Sequence, residues 1–361
     1  MSGARSGSRV RDREGVERVP EGVVTIHDVA REAGVSIATV SRALAGSATV
    51  APATAGRVRR AAAALGYEPN RAARQLVTGR GQSVGLVIPD LENPFYSSVA
   101  KGMQNRVRAA GLTAIIADTD EDVAREREVL AQLATDVDRL ILASPRAADT
   151  DLLALAARSR VVLINRSLAG VPAVTGDNAD GIRQALGHLL ALGHTRIGYA
   201  GGPVTSWSDA ERRAGLTAAV DAAHDQGRGV TIVDLGAFRP GPAGGLAAAD
   251  LAISERVSAV LAFNDQLALG LLGRLAERGV AVPEAMSVVG FDDVPVARLL
   301  APALTTVVVP AQRMGAAAVD LLLAGTPAAR PEDGPGALLR VLPVELQVRR
   351  STAQAAGRRE R

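Results

Sequence analysis

At 361 residues and 47% hydrophobic side chains, the chain is long enough for two or three domains with sizeable cores; with no cysteine it can hold neither a disulfide framework nor a thiolate metal site. Its net charge of +3 divides unevenly: residues 1–83 carry 13 arginines against 7 acids (net +6) and the remainder is net −3, so the positive field sits at the N-terminal end. No apolar run is long and uncharged enough to cross a bilayer, and the first 22 residues lack the apolar core of a signal peptide, which points to a cytoplasmic chain with no membrane partner.

Residues 1–22 read as a disordered, solvated extension. The stretch TIHDVAREAGVSIATVSR, from Thr25 to Arg42, then has the spacing of a helix-turn-helix. Thr25 caps a first helix, with Asp28 in its first turn, and Ile26, Val29, Ala30 and Ala33 form its apolar stripe. Gly34 supplies the positive φ of a tight turn. Ser36 caps a second helix whose Val40 and Ala43 face inward, leaving Ile37, Ala38, Ser41 and Arg42 on the outer face, where a recognition helix meets base edges. An ordinary helical hairpin is the alternative for this segment alone. A third helix follows from about Ala53 to Leu65, with Val58, Ala61, Ala62 and Leu65 inward and Arg57, Arg59 and Arg60 outward, and it stops at Gly66. NRAARQLVTGRGQS is a short basic helical stretch running into a Gly-rich linker.

From Gln82 the pattern alternates between apolar strands and helices. SVGLVIPD, LTAIIAD, RLILAS and VVLIN are the strands of a first series; TRIGYAGG, GVTIVDLG, SAVLAFND and MSVVGFDD are those of a second. Such βαβ repetition predicts two doubly wound parallel sheets, and so two lobes. Enzyme signatures are missing: PDLENPF follows the first strand in place of GxGxxG, there is no GxxxxGK[ST] or HExxH, and the GxSxG string GQSVG (81–85) runs into the strand SVGLVIPD and so is not a nucleophile elbow between strand and helix. The histidines, His27, His188, His194 and His224, lack metal-ligand spacing. Neither catalysis nor a cofactor is expected.

Six segments, TIHDVAREAGVSIATVSRAL, GYEPNRAARQLVTGR, VGLVIPDLENPFY, GHTRIGYAGGP, FNDQLALG and SVVGFDDVP, occur in an order that resembles the LacI/GalR family of transcriptional regulators, from about Val24 to Val348. The resemblance implies a helix-turn-helix headpiece (23–69), a hinge helix and linker (70–82), and an α/β two-lobed periplasmic-binding-protein-like domain (83–350) with a disordered tail at 351–361. The chain would cross between lobes near Ala191, Val309 and Leu339, giving lobe 1 as 83–191 with 310–338 and lobe 2 as 192–309 with 339–350. The same family implies a repressor that binds a near-palindromic operator as a homodimer under control of a small polar effector, a sugar or related polyol. A binding protein of the same lobes acting without DNA is the rival, and the 60 residues before Gln82 argue against it.

On DNA, Arg42 suits guanine O6 and N7, while Ile37 and Ala38 offer only apolar contact, for example to a thymine methyl. Thr39, Ser41, Thr54 and Asn70, with the caps Thr25 and Ser36, are candidates for phosphate contact and register. Leu76 matches the family's minor-groove wedge, with Arg74 beside it, although a linker leucine packing on the lobe is the alternative. In the cleft, Asp177, Arg212, Asn264, Asp265 and Asp292 match polar positions of the family, as do Ser206 and Ser208, with Phe238 as a stacking platform. Phe95 and Tyr96, two of only eight aromatic residues, and the strand-end pair Asn165 and Arg166 complete the candidates. Asp265 and Asp293 divide evenly between ligand contact and capping. Ala45 and Ala55-Gly56 depart from the family pattern, and the C-terminal STAQAAGRRER has no leucine heptad for a tetramer.

Overall fold

A computed structural model describes residues 24–44, 49–67, 83–324 and 338–355. The extension 1–22, Ala45, the hinge with Asn70, Arg74 and Leu76, and residues 356–361 lie outside the described residues. The chain divides into two compact units, Met1–Gly79 and Arg80–Arg361.

The first unit holds α1 (Ile26–Ala33), α2 (Ile37–Leu44) and α3 (Pro52–Leu65) around Val29, Ala30, Ala33, Val40, Ala43, Val58, Ala61 and Ala62. The α1 cap works through the Asp28 carboxylate, which accepts from the Thr25 amide at 3.0 Å and its hydroxyl at 2.7 Å. These bonds hold the carboxyl below its usual range, the Thr25 hydroxyl contributing most. Gly34 turns the chain at φ +60°. Arg57, exposed as the sequence indicates, also donates Nε to the Ala33 carbonyl at 3.0 Å, satisfying the end of α1 from α3. Leu65 is only partly buried.

The second unit contains two six-stranded sheets. The first has the order β11-β5-β4-β3-β1-β2 and is parallel throughout. Its strands are β1 (Ser83–Ile88), β2 (Thr113–Asp118), β3 (Arg139–Ala143), β4 (Arg160–Ile164), β5 (Ala173–Gly176) and β11 (Leu339–Leu342). It is covered by α4 (Pro94–Ala109), α5 (Val123–Asp136), α6 (Asp149–Ala156) and α11 (Ala311–Ala324). The second sheet runs β12-β10-β9-β8-β6-β7, with β12 antiparallel to β10. Its strands are β6 (Arg196–Gly201), β7 (Thr231–Ala237), β8 (Ala259–Ala262), β9 (Ser287–Asp292), β10 (Thr305–Val308) and β12 (Glu345–Gln347). It carries α7 (Asn178–Ala191), α8 (Trp207–Asp225), α9 (Pro242–Ser254) and α10 (Asp265–Glu277). The non-sequential orders are those of doubly wound sheets, whose ligands sit beyond the carboxyl ends of the strands. Central strands such as β8 are buried at every residue because helices cover both faces.

The sheets relocate two of the three crossings. Helix α7 packs on the second lobe, where Gly181 lies so close to Phe291 that a Cβ would stand 2.8 Å from its ring. The first crossing is therefore at Asp177, not near Ala191. The chain returns at Val309-Pro310, and α11 docks on α4 with Gly102 against the Gln312 backbone. Strand β11 pairs with β5 in the first lobe, so the last crossing is at Pro343-Val344 and residues 339–342 do not belong to lobe 2.

Residues 351–355 are a further correction, being stitched into lobe 2 instead of trailing as a tail. Ser351 is fully buried; its hydroxyl accepts from the Thr305 amide at 2.8 Å and donates to the Val288 carbonyl at 2.6 Å. His188 and His194 reach Thr352 Oγ1 and the Ala353 carbonyl at 2.9 and 3.0 Å. Burial lowers the proton affinity of both imidazoles.

Candidate effector cleft and reading helix

On α2, the Ser36 hydroxyl accepts from the Thr39 amide at 3.2 Å and lies 2.9 Å from Thr39 Oγ1, so both hydroxyls are engaged in the cap. Ile37, Ala38 and Arg42 are exposed and Ser41 is half-buried, which gives one open face. The Arg42 guanidinium lies along its own helix, Nε donating to the Ala38 carbonyl at 3.1 Å. Thr54, in the first turn of α3, is half-buried.

The cleft lies between the lobes of the second unit. From lobe 1, Asn93 caps α4 by accepting from the Phe95 amide at 3.0 Å, which sets Phe95 and Tyr96 at the cavity wall. Their rings meet edge to face, 5.2 Å apart. Desolvation pushes the Tyr96 phenol far above its usual range. Asn165 follows β4 in a left-handed conformation, φ +54°, and its carbonyl accepts from Ser208 Oγ of lobe 2 at 3.2 Å. Ser206 caps α8, accepting from the Asp209 amide at 3.3 Å.

Arg212, one turn further along α8, is buried, with Nε donating to Asn178 Oδ1 at 2.9 Å and Nη1 to the Phe263 carbonyl. Its guanidinium carbon is 3.5 Å from the Phe291 ring centroid and 4.9 Å from that of Phe263. Asp292 leaves β9 at φ +118°; desolvation drives its carboxyl well above the usual range while Arg212 pulls it back. Asn264 caps α10 through Leu267 at 2.9 Å. Phe95, Tyr96, Asn165, Ser206, Ser208, Arg212, Asn264 and Asp292 thus line one cavity.

Three candidates stand apart from it. Arg166 turns back into lobe 1, donating to the Pro145 and Ala147 carbonyls at 2.8 Å each and to Asp149. Asp177 caps α7 through the Asp180 amide at 2.9 Å. Phe238 lines an outer chamber of about 510 Å3 at the mouth, with the 120–122 turn and Arg239. The cavity itself holds only about 20 Å3, room for a water and not a ring, so a ring-sized ligand requires its walls to part. Few bonds hold them together: besides Ser208 to Asn165, Arg239 donates to the Asp120 carbonyl at 3.3 Å and Gln266 to that of Glu92 at 3.5 Å.

Residues 25–70 match the family described as bacterial regulatory proteins, lacI family, and residues 186–352 match a periplasmic binding protein-like domain. The HTH-type transcriptional regulator GalS of Salmonella typhimurium (strain LT2) is 36% identical over 309 residues, 84% of this chain and 90% of that protein. The chain belongs to the LacI family.

As a LacI-family protein it is a DNA-binding transcriptional regulator, and its fold is that of solved relatives. The Lac repressor dimer bound to operator and the anti-inducer ONPF superposes with a TM-score of 0.77 at 27% identity, over 92% of this chain and 99% of that one. A complex of the transcriptional regulator CelR with cellobiose gives 0.65 at 30% identity, over 91% and 99%.

The LacI-family cleft contains further residues that sequence reasoning does not single out: Asn93 and Phe263, inside VGLVIPDLENPFY and FNDQLALG, and Ser144, Arg146 and Pro240, outside all six segments. Arg146 is the most consequential. Its guanidinium forks onto Glu121 at 3.1 and 3.3 Å with both side chains nearly buried, placing a fixed cation in the lobe 1 wall opposite Arg212. The carboxyl-end rule that picks out Asn165 after β4 also picks out Ser144 and Arg146 after β3.

Proposed function

We propose that this LacI-family regulator is a repressor that binds a near-palindromic operator as a homodimer and is switched by a small polar effector, a sugar or related polyol. Ile37, Ala38 and Arg42 of each protomer read successive major grooves about one helical turn apart. Thr39, Ser41 and Thr54, with the caps Thr25 and Ser36, fix register on phosphates. Outside the described residues, Asn70 would add a phosphate contact and Leu76, with Arg74 beside it, the minor-groove contact. The protein works by binding, without catalysis or cofactor, in the cytoplasm; among the described residues no helix is long and apolar enough to cross a membrane.

The observation that carries this reading is the two-sided cavity, in which Asp292, Arg212 and Asn264 of lobe 2 face Asn93, Tyr96, Asn165 and Arg146 of lobe 1. A ligand bonded to both sets stabilises one lobe angle over another, which is what an allosteric effector must do. Carboxylate and amides suit hydroxyls, guanidinium forks suit vicinal diols, and the aromatic walls suit the apolar face of a sugar ring. Arg146 is already paired with Glu121 and so is not a free cation for an anionic ligand, which favours a neutral polyol. Relatives supply precedent in the operator-bound Lac repressor and the CelR–cellobiose complex. Thermal-shift screening of the full chain against monosaccharides, disaccharides and nucleosides tests the effector class: a sugar hit abolished by Asp292→Ala is expected, and a hit indifferent to both Asp292→Ala and Arg212→Ala places the site elsewhere.

A further inference from the structure

Asp265 opens α10, yet its carboxylate serves neither as the helix cap nor as a wall of the cavity. It has no exposed surface. One oxygen accepts from Thr306 Oγ1 at 2.6 Å, and the other accepts from the Val294 backbone amide at 2.9 Å. Space for it is left by Gly290 in β9, where a Cβ would stand 2.1 Å from Asp265 Oδ1. Three elements and the bend after β9 therefore converge on one side chain.

The bend is the part of the cleft that most needs holding. Asp292 and Asp293, between the strand and the pinned Val294 amide, have φ of +118° and +56°, conformations that non-glycine residues keep only where the surroundings impose them. Asp293 is tied on its far side to Arg349 at 2.5 Å and to Arg298 at 3.1 Å. Asp292, the residue immediately before these anchors, lines the cavity with Arg212.

We infer that Asp265 is a positioning residue for the effector cleft, its buried carboxylate pinning residues 292–294 and so aiming Asp292 at Arg212. The role needs two hydrogen bonds, not a charge. An asparagine can accept from Val294 through Oδ1 and donate to Thr306 once that hydroxyl rotates to accept; an alanine leaves both partners unsatisfied. What Asp292 is aimed at depends on the cleft assignment proposed above, but the pin itself can be tested without a ligand.

The chain has no cysteine, so Val296→Cys in the 3₁₀ turn beyond the pin gives a single attachment point for a nitroxide label at a residue 36% exposed. Leu251→Cys in α9, 44% exposed, provides the control within the same lobe. In the full-length protein D265A is expected to raise label mobility at 296 severalfold with the label at 251 unchanged, and D265N is expected to restore the wild-type spectrum. No change at 296 in D265A, equal loosening at both labels, or D265N as mobile as D265A overturns the inference. Should D265A fail to fold, Thr306→Val removes one of the two bonds, with a smaller loosening confined to 296 expected and the first two contrary outcomes applying to it. Failure of D-galactose, D-ribose or cellobiose to bind the unlabelled protein bears on the effector reading and leaves the label result intact.

Discussion

The Arg212 guanidinium lies 3.5 Å from the centroid of the Phe291 ring, with its Nε bonded to Asn178 at 2.9 Å. A planar, stacked cation held this way is oriented before any ligand arrives. Lysine keeps the charge and loses both the stacking and the fork. Arg212→Lys should therefore weaken sugar binding by about tenfold or more, corresponding to roughly 1.5–3 kcal/mol for charge-assisted hydrogen bonds, as read by isothermal titration calorimetry. Wild-type affinity in that variant would remove Arg212 from the site.

Arg42 folds along α2 and must swing outward to reach a guanine. Because that bond to its own helix is solvent-exposed, breaking it costs little. Arg42→Ala should reduce specific operator affinity by about 1–3 kcal/mol and relax selectivity at one base pair per half-site. Fluorescence anisotropy on single-base operator variants measures this; a uniform loss across all sequences would make Arg42 a phosphate contact.

Gly56 in α3 leaves room for a side chain, since the nearest atom to an added Cβ is Arg60 Nη1 at 3.7 Å. Glycine inside a helix is unfavourable by about 1 kcal/mol relative to alanine. Gly56→Ala should stabilise the headpiece by about that amount, seen as a higher transition temperature for the N-terminal unit in calorimetry of the full chain. A lower one would mean that α3 needs the glycine.

Burial pushes the Asp265 carboxyl up to about 7, with the Thr306 and Val294 bonds opposing the shift. A group whose folded proton affinity is raised binds more protons folded than unfolded. Its contribution is thus complete below the ordinary carboxylate value and disappears as the pH rises through about 7. Asp265→Asn, which cannot ionise, should gain on the wild type in thermal stability as the pH rises from 5 to 8. A difference between the two proteins that is constant over that range would contradict this assignment.

Much of this architecture is legible in the sequence because the physics is local. The runs SVGLVI and SAVLA are buried strands whatever they pair with, and Gly34 ends α1 wherever the headpiece docks. The crossings are harder. Helix α7 has the same apolar face whether it covers lobe 1 or lobe 2, and only the approach of Gly181 to Phe291 decides. Ser351 reads as loop chemistry until the sheet supplies buried backbone groups for it to satisfy. In the cleft, the residues after β4, β8 and β9 follow from the strand-end rule. Arg166 follows the same rule and yet turns back on the Pro145 and Ala147 carbonyls, partners that sequence spacing does not reveal. Arg146 depends on Glu121, 25 positions upstream, in a turn where Asp120 and Glu121 are both left-handed.

In the proposed function, the exposed α2 face reads DNA under the control of a ligand held between the lobes. Footprinting the full-length protein on the DNA flanking its own gene, with and without the sugar identified by thermal shift, tests it most directly. A protected near-palindrome is expected, its occupancy changing with the sugar in the wild type and not in Asp292→Ala. Absence of protection on any sequence at low salt, or protection indifferent to every ligand that binds the cleft, would contradict it.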